Sequence, residues 1–471
     1  MKRGVLGLAA AILMSGSALA APAPTPSEAR FRAVFKEMIE TDTSAASGDC
    51  TLLSKKIQTR MVAAGFPAAN LQILVPPTDA KAGNLVATYP GTDPSAKAVL
   101  MLGHIDVVNA FRTDWSRDPY VLVEEKGEFY GRGVSDMKAQ DAIWVDILLR
   151  MQDGAAKPKH TVKMALTCGE EGGGFVNGAG WLAQEHKPLI DAGLALTEGG
   201  GGDLDDQGKK LAVTVMAAEK TGANYTFETT TIGGHSSKPR DDNAIYRMAM
   251  ALSKVSTISF PVTFNQFNRP YFTGIAPQVA PAEGAAIKDL LANPNDAAAA
   301  AVVKKNVSWR AMLGTTCIPT LIEGGHAPNA QPQKVKTTIN CRTLPGTPIA
   351  DLTATITKAV GDPAVKIEVA GQGAPGARGA TPPTGPMLMD PLRKVAAQVY
   401  PGLPVVTMQE TFGTDSGRLI AVGIPTWGVS GLFRGSDAGN IHGLNEHIGV
   451  QSVMEGREFL YRLIVAYANA P

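Results

Sequence analysis

The sequence predicts an α/β fold of two interleaved parts: a larger domain assembled from both ends of the chain and a smaller domain inserted in its middle. Three observations carry this. Helix and strand patterns alternate from Ser27 to about Ala212, the order that buries a sheet between layers of helices. From residue 215 onward the pattern changes to strands with apolar residues at every second position, separated by two helical stretches. After about Gly371 the run GQGAPGARGATPPTGP interrupts the chain, and mixed helix and strand patterns resume to Pro471.

Length and composition narrow the class. The chain has 471 residues, 44% of them hydrophobic, and its 44 basic and 43 acidic residues are interspersed for a net charge of +1. No basic patch is present to grip a phosphate backbone, so nucleic acid is excluded as a partner. Residues 1–20 have the form of a secretory signal peptide: Lys2 and Arg3, the apolar GVLGLAAAILM, then small residues ending at Ala20. That apolar stretch is shorter than the ~20 residues that span a bilayer. The expectation is a protein without a membrane anchor, starting at Ala21 and located in the periplasm or secreted.

In the first part, residues 21–214, helical spacing marks Ala29 to Ile39, Leu52 to Ala64 and Gln140 to Met151. Apolar runs mark strands at Ala98 to Ile105, Thr161 to Thr167 and Leu194 to Thr197. In the middle part, residues 215–370, ANYTFETTTIGG reads as a strand and NAIYRMAMALSKV as a helix. MLGTTCIPTLIEGG and KVKTTINCRTL follow as two strands around a turn, then IADLTATITKAV as a helix and AVKIEVAG as a strand. That βαββαβ order is the split arrangement of a ferredoxin-like domain. A helical insertion at about 256–309 separates its first helix from its second strand. Residues 371–471 return to the larger domain.

Chemistry gathers at the strand ends. AVLMLGHID closes a buried-type strand with His104 and Asp106, two residues apart and so on one face. Asp136 lies in GRGVSDMKAQ, Glu170 and Glu171 in CGEEGGG, Glu198 in LTEGGG, and His442 in NIHGLNEHI. Carboxyl ends of strands are where α/β sheets assemble their sites. Taken singly, each of these is as well read as a solvated turn residue. Together, two histidines and several carboxylates suit divalent metals, zinc above all, and exceed the needs of one tetrahedral ion.

With GHID, GRGVSDMK, CGEEGGG, LTEGG, GGHSSKP, NCRTLPG and HGLNEHI in this order, the chain resembles the two-zinc exopeptidases and amidohydrolases. That family includes glutamate carboxypeptidase, aminoacylase, carnosine-type dipeptidases, acetylornithine deacetylase and succinyl-diaminopimelate desuccinylase. The resemblance implies a zinc-exopeptidase-like α/β sandwich catalytic domain with an inserted lid and dimerisation domain. It implies two Zn2+ per chain, with Co2+ or Mn2+ as substitutes. Asp136 would bridge the ions, His104 and Glu198 would complete one site, and Glu171 and His442 the other. Asp106 would hold the His104 ring in its ligating tautomer, and Glu170 would be the general base.

The same resemblance places His235 of GGHSSKP in the active site of the partner subunit of a homodimer, stabilising an oxyanion. It gives Arg342 the substrate carboxylate, with Asn329 and Gly413 bordering the pocket. Phe412 stands where the commoner family form has glycine. His447 is read as structural, and His160, His186 and His326 match no role.

The implied activity is hydrolysis of a peptide or amide bond next to a free carboxylate, by an exported carboxypeptidase or dipeptidase acting on a small peptide. An N-acyl amino acid deacylase with the same mechanism is the alternative. A non-catalytic binding protein on this fold would be expected to have lost a ligand or the base. The two-zinc aminopeptidases lack the inserted domain.

Cysteine spacing gives one further expectation. Cys317 and Cys341 lie on the two lid strands at equal distances from a turn centred near Asn329. They should face each other across an antiparallel pair, close enough for a disulfide. Cys50 and Cys168 show no evident partner, and Cys168, two residues before Glu170, is expected as a packed thiol and not a ligand.

Overall fold

Eight strands form a mixed sheet whose spatial order explains where the reactive residues meet. The computed structural model describes residues 24–154, 157–372 and 382–470; the expected signal peptide and most of the Gly/Pro-rich run lie outside them. In order across the sheet the strands are Leu71–Leu74, Asn84–Tyr89, Val162–Thr167, Val99–His104, Leu194–Thr197, Thr426–Gly428, Val213–Glu219 and Val405–Glu410. Val99–His104 runs parallel to both of its neighbours. The ends that carry His104, Glu170 with Glu171, and Glu198 therefore open at one edge of the sheet.

Helices cover both faces, which is why the strand is apolar from Val99 to Leu102. Leu100 and Leu102 pack with Ala179, Leu182 and Leu419 on one face. Val99 and Met101 face the larger core of Phe31, Phe35, Trp144 and Phe459 on the other. Helices Pro26–Ile39, Lys138–Gly154 and Val450–Ala468 share that core, so both ends of the chain build one domain. No described helix is long and apolar enough to cross a membrane.

The separate lid domain is a four-stranded antiparallel sheet in the order Thr316–Gly324, Lys334–Thr343, Thr221–Thr230, Val365–Gln372. Strict alternation puts Ala223, Tyr225 and Phe227 on the face covered by helices Ala244–Ser256 and Ile349–Val360. Those helices answer with Met248, Ala251 and Val255, and with Leu352, Ile356 and Val360, at the three- and four-residue spacing of one helical face. The insertion forms four helices between Asn268 and Met312. Its Tyr271, Phe272, Ile287, Leu290 and Trp309 pack on Leu211 and Met408 of the catalytic domain.

Cys317 pairs with Cys341 in the strand register, and the two form a disulfide as expected. The expectation for the other pair was wrong: Cys50 and Cys168 are bonded to each other across 118 residues. Cys50 opens the helix Cys50–Ala63, and Cys168 follows the strand Val162–Thr167. Their meeting is a product of tertiary packing, with no local register to announce it. On a chain-entropy argument the shorter loop contributes roughly 3 kcal/mol and the longer about 5 kcal/mol. Peptide mapping without reduction should recover both linked pairs, and alkylation of any of the four cysteines in unreduced, unfolded protein would contradict this.

Candidate active site

Each side chain is brought to the sheet edge by a turn that its local sequence requires. At the end of Val162–Thr167, Gly169 takes φ 89°, and a side chain there would meet the Val176 carbonyl carbon and oxygen at 2.8 and 2.4 Å. Only glycine lets the chain swing Glu170 and Glu171 back across the edge. Asp106 then fixes that turn, its two carboxylate oxygens accepting the backbone N–H groups of Glu170 (3.3 Å) and Glu171 (3.0 Å). The His104 ring is oriented by a neighbouring group: its Nδ1 lies 3.1 Å from the Asp106 backbone carbonyl and 3.7 Å from the carboxylate. Burial raises the Asp106 carboxyl to about 6.

Asp136 stands at the centre. One of its oxygens is 3.2 Å from His104 Nε2 and the other is 3.2 Å from His442 Nε2. His104 Nε2 also lies 3.6 Å from Glu198, and His442 Nε2 lies 2.9 Å from Glu171. Donor atoms of His104, Asp136 and Glu171 fall within 4.8 Å of one another, as do those of His104, Glu170 and Glu198. The two sets share His104, and Asp136 turns one oxygen to each of the two imidazoles.

The electrostatics show strain that cations would relieve. Burial, with crowding by Asp136 and Glu171, pushes Glu198 up to about 7 against the pull of His104. Burial and the neighbouring Glu198 and Asp415 hold Glu170 well above the carboxylate range. Hydrogen bonds to Asp136 and Glu171 raise His442 to about 10. Four carboxyl groups around two imidazoles in a mostly buried space hold their charges only with cations beside them, and imidazole with carboxylate is the donor chemistry of zinc. The residues fit divalent metal binding.

Of the remaining expected residues, Arg342, His235 and Asn329 lie on the lid and Gly413 on the catalytic domain. Arg342 is half-buried, its Nε donating to Asn340 Oδ1 at 3.1 Å. It faces the catalytic domain at Gly413, where an added side-chain carbon would come 4.0 Å from the guanidinium and 3.8 Å from Glu219 Oε2. His235, on the two-stranded ribbon of Gly234–His235 with Ala330–Gln331, and Asn329, just before its second strand, are both exposed, and Ser236 N–H donates to the Asn329 carbonyl at 2.9 Å. Among the described residues, neither makes a hydrogen bond or ion pair to the cluster around Asp136 in its own chain.

The sequence pattern left Glu446 without a role. Its carboxylate, fully buried, accepts from Arg132 Nη1 (2.7 Å) and from the backbone N–H groups of Gly133 (3.0 Å), Ser135 (2.8 Å) and Asp136 (3.0 Å). It shapes the turn that presents Asp136. Its position four residues after His442 was the available signal, but its partners lie more than 300 residues earlier.

Residues 100–466 match the model of Peptidase family M20/M25/M40. The chain belongs to that family. It is a metal-dependent hydrolase of the peptidase or aminoacylase type. Among sequence relatives, the human N-fatty-acyl-amino acid synthase/hydrolase PM20D1 is 26% identical over 395 residues, covering 80% of this chain and 75% of that protein. The probable carboxypeptidase S-like 2 of Dictyostelium discoideum is 25% identical over 81% of this chain and 74% of its own length. Among solved structures, the M20 family metallo-carboxypeptidase Sso-CP2 from Sulfolobus solfataricus superposes with a TM-score of 0.65 at 16% identity, covering 93% of this chain and 99% of its own. Human carnosine dipeptidase 1 gives 0.66 at 13% identity, covering 95% and 100%. The M20 fold, with its separate lid, is therefore shared at low identity.

Proposed function

We propose that this M20 hydrolase is an exported two-zinc carboxypeptidase or dipeptidase, cleaving a peptide or amide bond next to a free carboxylate. The observation that carries the reading is the Asp136 carboxylate set between His104 and His442, with Glu198 beside the first imidazole and Glu171 beside the second. Bound there, two zinc ions would polarise the scissile carbonyl and acidify a water; Co2+ or Mn2+ would substitute. Glu170 takes a proton from the attacking water and returns it to the leaving amine nitrogen. Asp106 fixes the turn that carries Glu170 and Glu171 by accepting from both backbone N–H groups. Arg342 pairs with the substrate carboxylate as a planar, two-pronged donor, over the space that Gly413 leaves open.

The lid supports a homodimer. Its edge strand Thr316–Gly324 exposes Ile318, Leu321 and Ile322, and helix Ala244–Ser256 exposes Tyr246 and Met250. An unpaired apolar edge of this kind calls for a partner. In the dimer, His235 of the partner subunit would reach the oxyanion. Two disulfides in one chain support an oxidising compartment, in line with the sequence of residues 1–20.

A second reading, N-acyl amino acid hydrolysis, is favoured by the human relative that spans most of this chain. One experiment separates them: turnover of dipeptides, their C-amidated forms, and short- and long-chain N-acyl amino acids, with zinc, cobalt or manganese. The proposal expects dipeptides with a free carboxylate to be cleaved fastest, two ions per chain, and loss of activity on chelation. Faster turnover of N-acyl amino acids transfers the assignment to the second reading. Arg342→Ala should impair carboxylate substrates about tenfold or more beyond amidated ones. Equal losses on both would remove Arg342 from carboxylate binding.

A further inference from the structure

Asp415 stands beside the donor cluster without joining it. It is 5% exposed, and one of its carboxylate oxygens has no hydrogen-bond partner. A buried acid left half unsatisfied is costly. The other oxygen accepts from Asn177 Nδ2 at 2.7 Å. The same amide nitrogen reaches the Gly169 carbonyl at 3.2 Å, immediately before Glu170. Asn177 Oδ1 meanwhile accepts Gly180 N–H at 2.7 Å, capping the helix Gly178–Glu185, and Gly178 N–H donates to the Cys168 carbonyl at 2.6 Å. The Glu170 turn is thus pinned to the start of a helix, and that pin is held by Asp415.

The neighbours of Asp415 fix it in turn. Thr414 and Ser416 both donate their hydroxyls to Glu219 Oε1, at 2.5 and 2.6 Å. Glu219 ends the last sheet strand before the chain crosses, through Lys220, into the first lid strand Thr221–Thr230.

We propose that Thr414, Asp415 and Ser416 form a clip between the lid hinge and the Glu170 turn, and that Asp415 is a positioning residue for Glu170, acting through Asn177. The proposal rests on the reading of Glu170 as general base. Removing the acceptor frees Asn177 and with it the Gly169 carbonyl, and a misplacement of about 1 Å at a reacting group costs on the order of 10²-fold in rate.

Steady-state kinetics, metal content and melting of four variants test this on one good substrate. Asp415→Ala should lower kcat by about 10- to 100-fold, with KM little changed and the metal retained. Asp415→Asn should recover most of kcat, because an amide oxygen still accepts from Asn177. Asn177→Ala should match Asp415→Ala, and combining the two should cost no more than the worse single change. Thr414→Val with Ser416→Ala should lower kcat in the same direction. Unchanged kcat in folded Asp415→Ala, a loss that merely tracks metal or folded fraction, or an Asn variant as slow as Ala would overturn the proposal; an inert Thr414→Val/Ser416→Ala double would overturn the link to the hinge. Glu170→Gln measured alongside separates the two failures. Full turnover there removes Glu170 as the base, whereas a slow Glu170→Gln with a fully active Asp415→Ala overturns the clip alone.

Discussion

Glu170→Gln is expected to keep both the fold and the metal while lowering kcat by about 10²-fold or more, the usual scale of a lost general base. The geometry makes the substitution a clean one. The backbone N–H of Glu170 still reaches Asp106, so the turn keeps its shape, and glutamine matches glutamate in size. What disappears is the ability to take and return a proton. The experiment also addresses a rival role, because a Glu170 oxygen lies within 4.8 Å of ligand atoms of His104 and Glu198. A metal-ligating Glu170 would show itself as metal lost from the Gln variant in proportion to activity. Slow turnover with full metal content identifies the base, and near-normal turnover removes Glu170 from the mechanism.

The sequence was most legible where a reactive residue ends a regular element. His104 closes an apolar strand, Glu198 follows another directly, and Glu170 and Glu171 sit between glycines whose only use is a sharp turn. In such places the period of the pattern names the element, and the element names the edge of the sheet. The lid was legible for the same reason, through strict alternation in Thr221–Thr230 and in Lys334–Thr343, whereas Cys317 meets Cys341 on an exposed edge strand whose register shifts between Pro319 and Leu321.

What the sequence concealed were contacts between elements far apart in the chain. Cys50 and Cys168 are 118 residues apart and share no strand pair. The Asn177 link to Asp415 spans 238 residues, and each partner alone reads as a helix cap or a turn residue. Short strands such as Thr426–Gly428 carry too few residues to display a period at all. The Asp106 carboxylate lies 3.7 Å from His104 Nδ1, yet it serves the backbone of Glu170 and Glu171, a use that only the folded turn discloses.

The largest effect on stability is expected at Glu446. Its carboxylate is 0% exposed and gathers four donors: the Arg132 guanidinium and three backbone N–H groups from the turn that presents Asp136. Arg132 is itself buried, over the Trp115 ring and donating also to the Gly443 carbonyl. Removing one partner of a buried ion pair costs about 3–5 kcal/mol, because the other charge stays behind unpaired. Glu446→Leu should therefore destabilise the protein by that amount or more, since three backbone donors are orphaned as well. Arg132→Leu should cost less, because Glu446 keeps those three donors. Glu446→Gln should fall between the two, with one oxygen still accepting and an NH2 group set against the remaining N–H groups. Metal content should drop in the same order, as Asp136 N–H is one of the donors and the turn that holds its carboxylate loosens. Denaturant unfolding and metal analysis on the three variants check the ranking. An Arg132→Leu variant less stable than Glu446→Leu would show that the cation, and not the carboxylate with its three backbone donors, organises the turn.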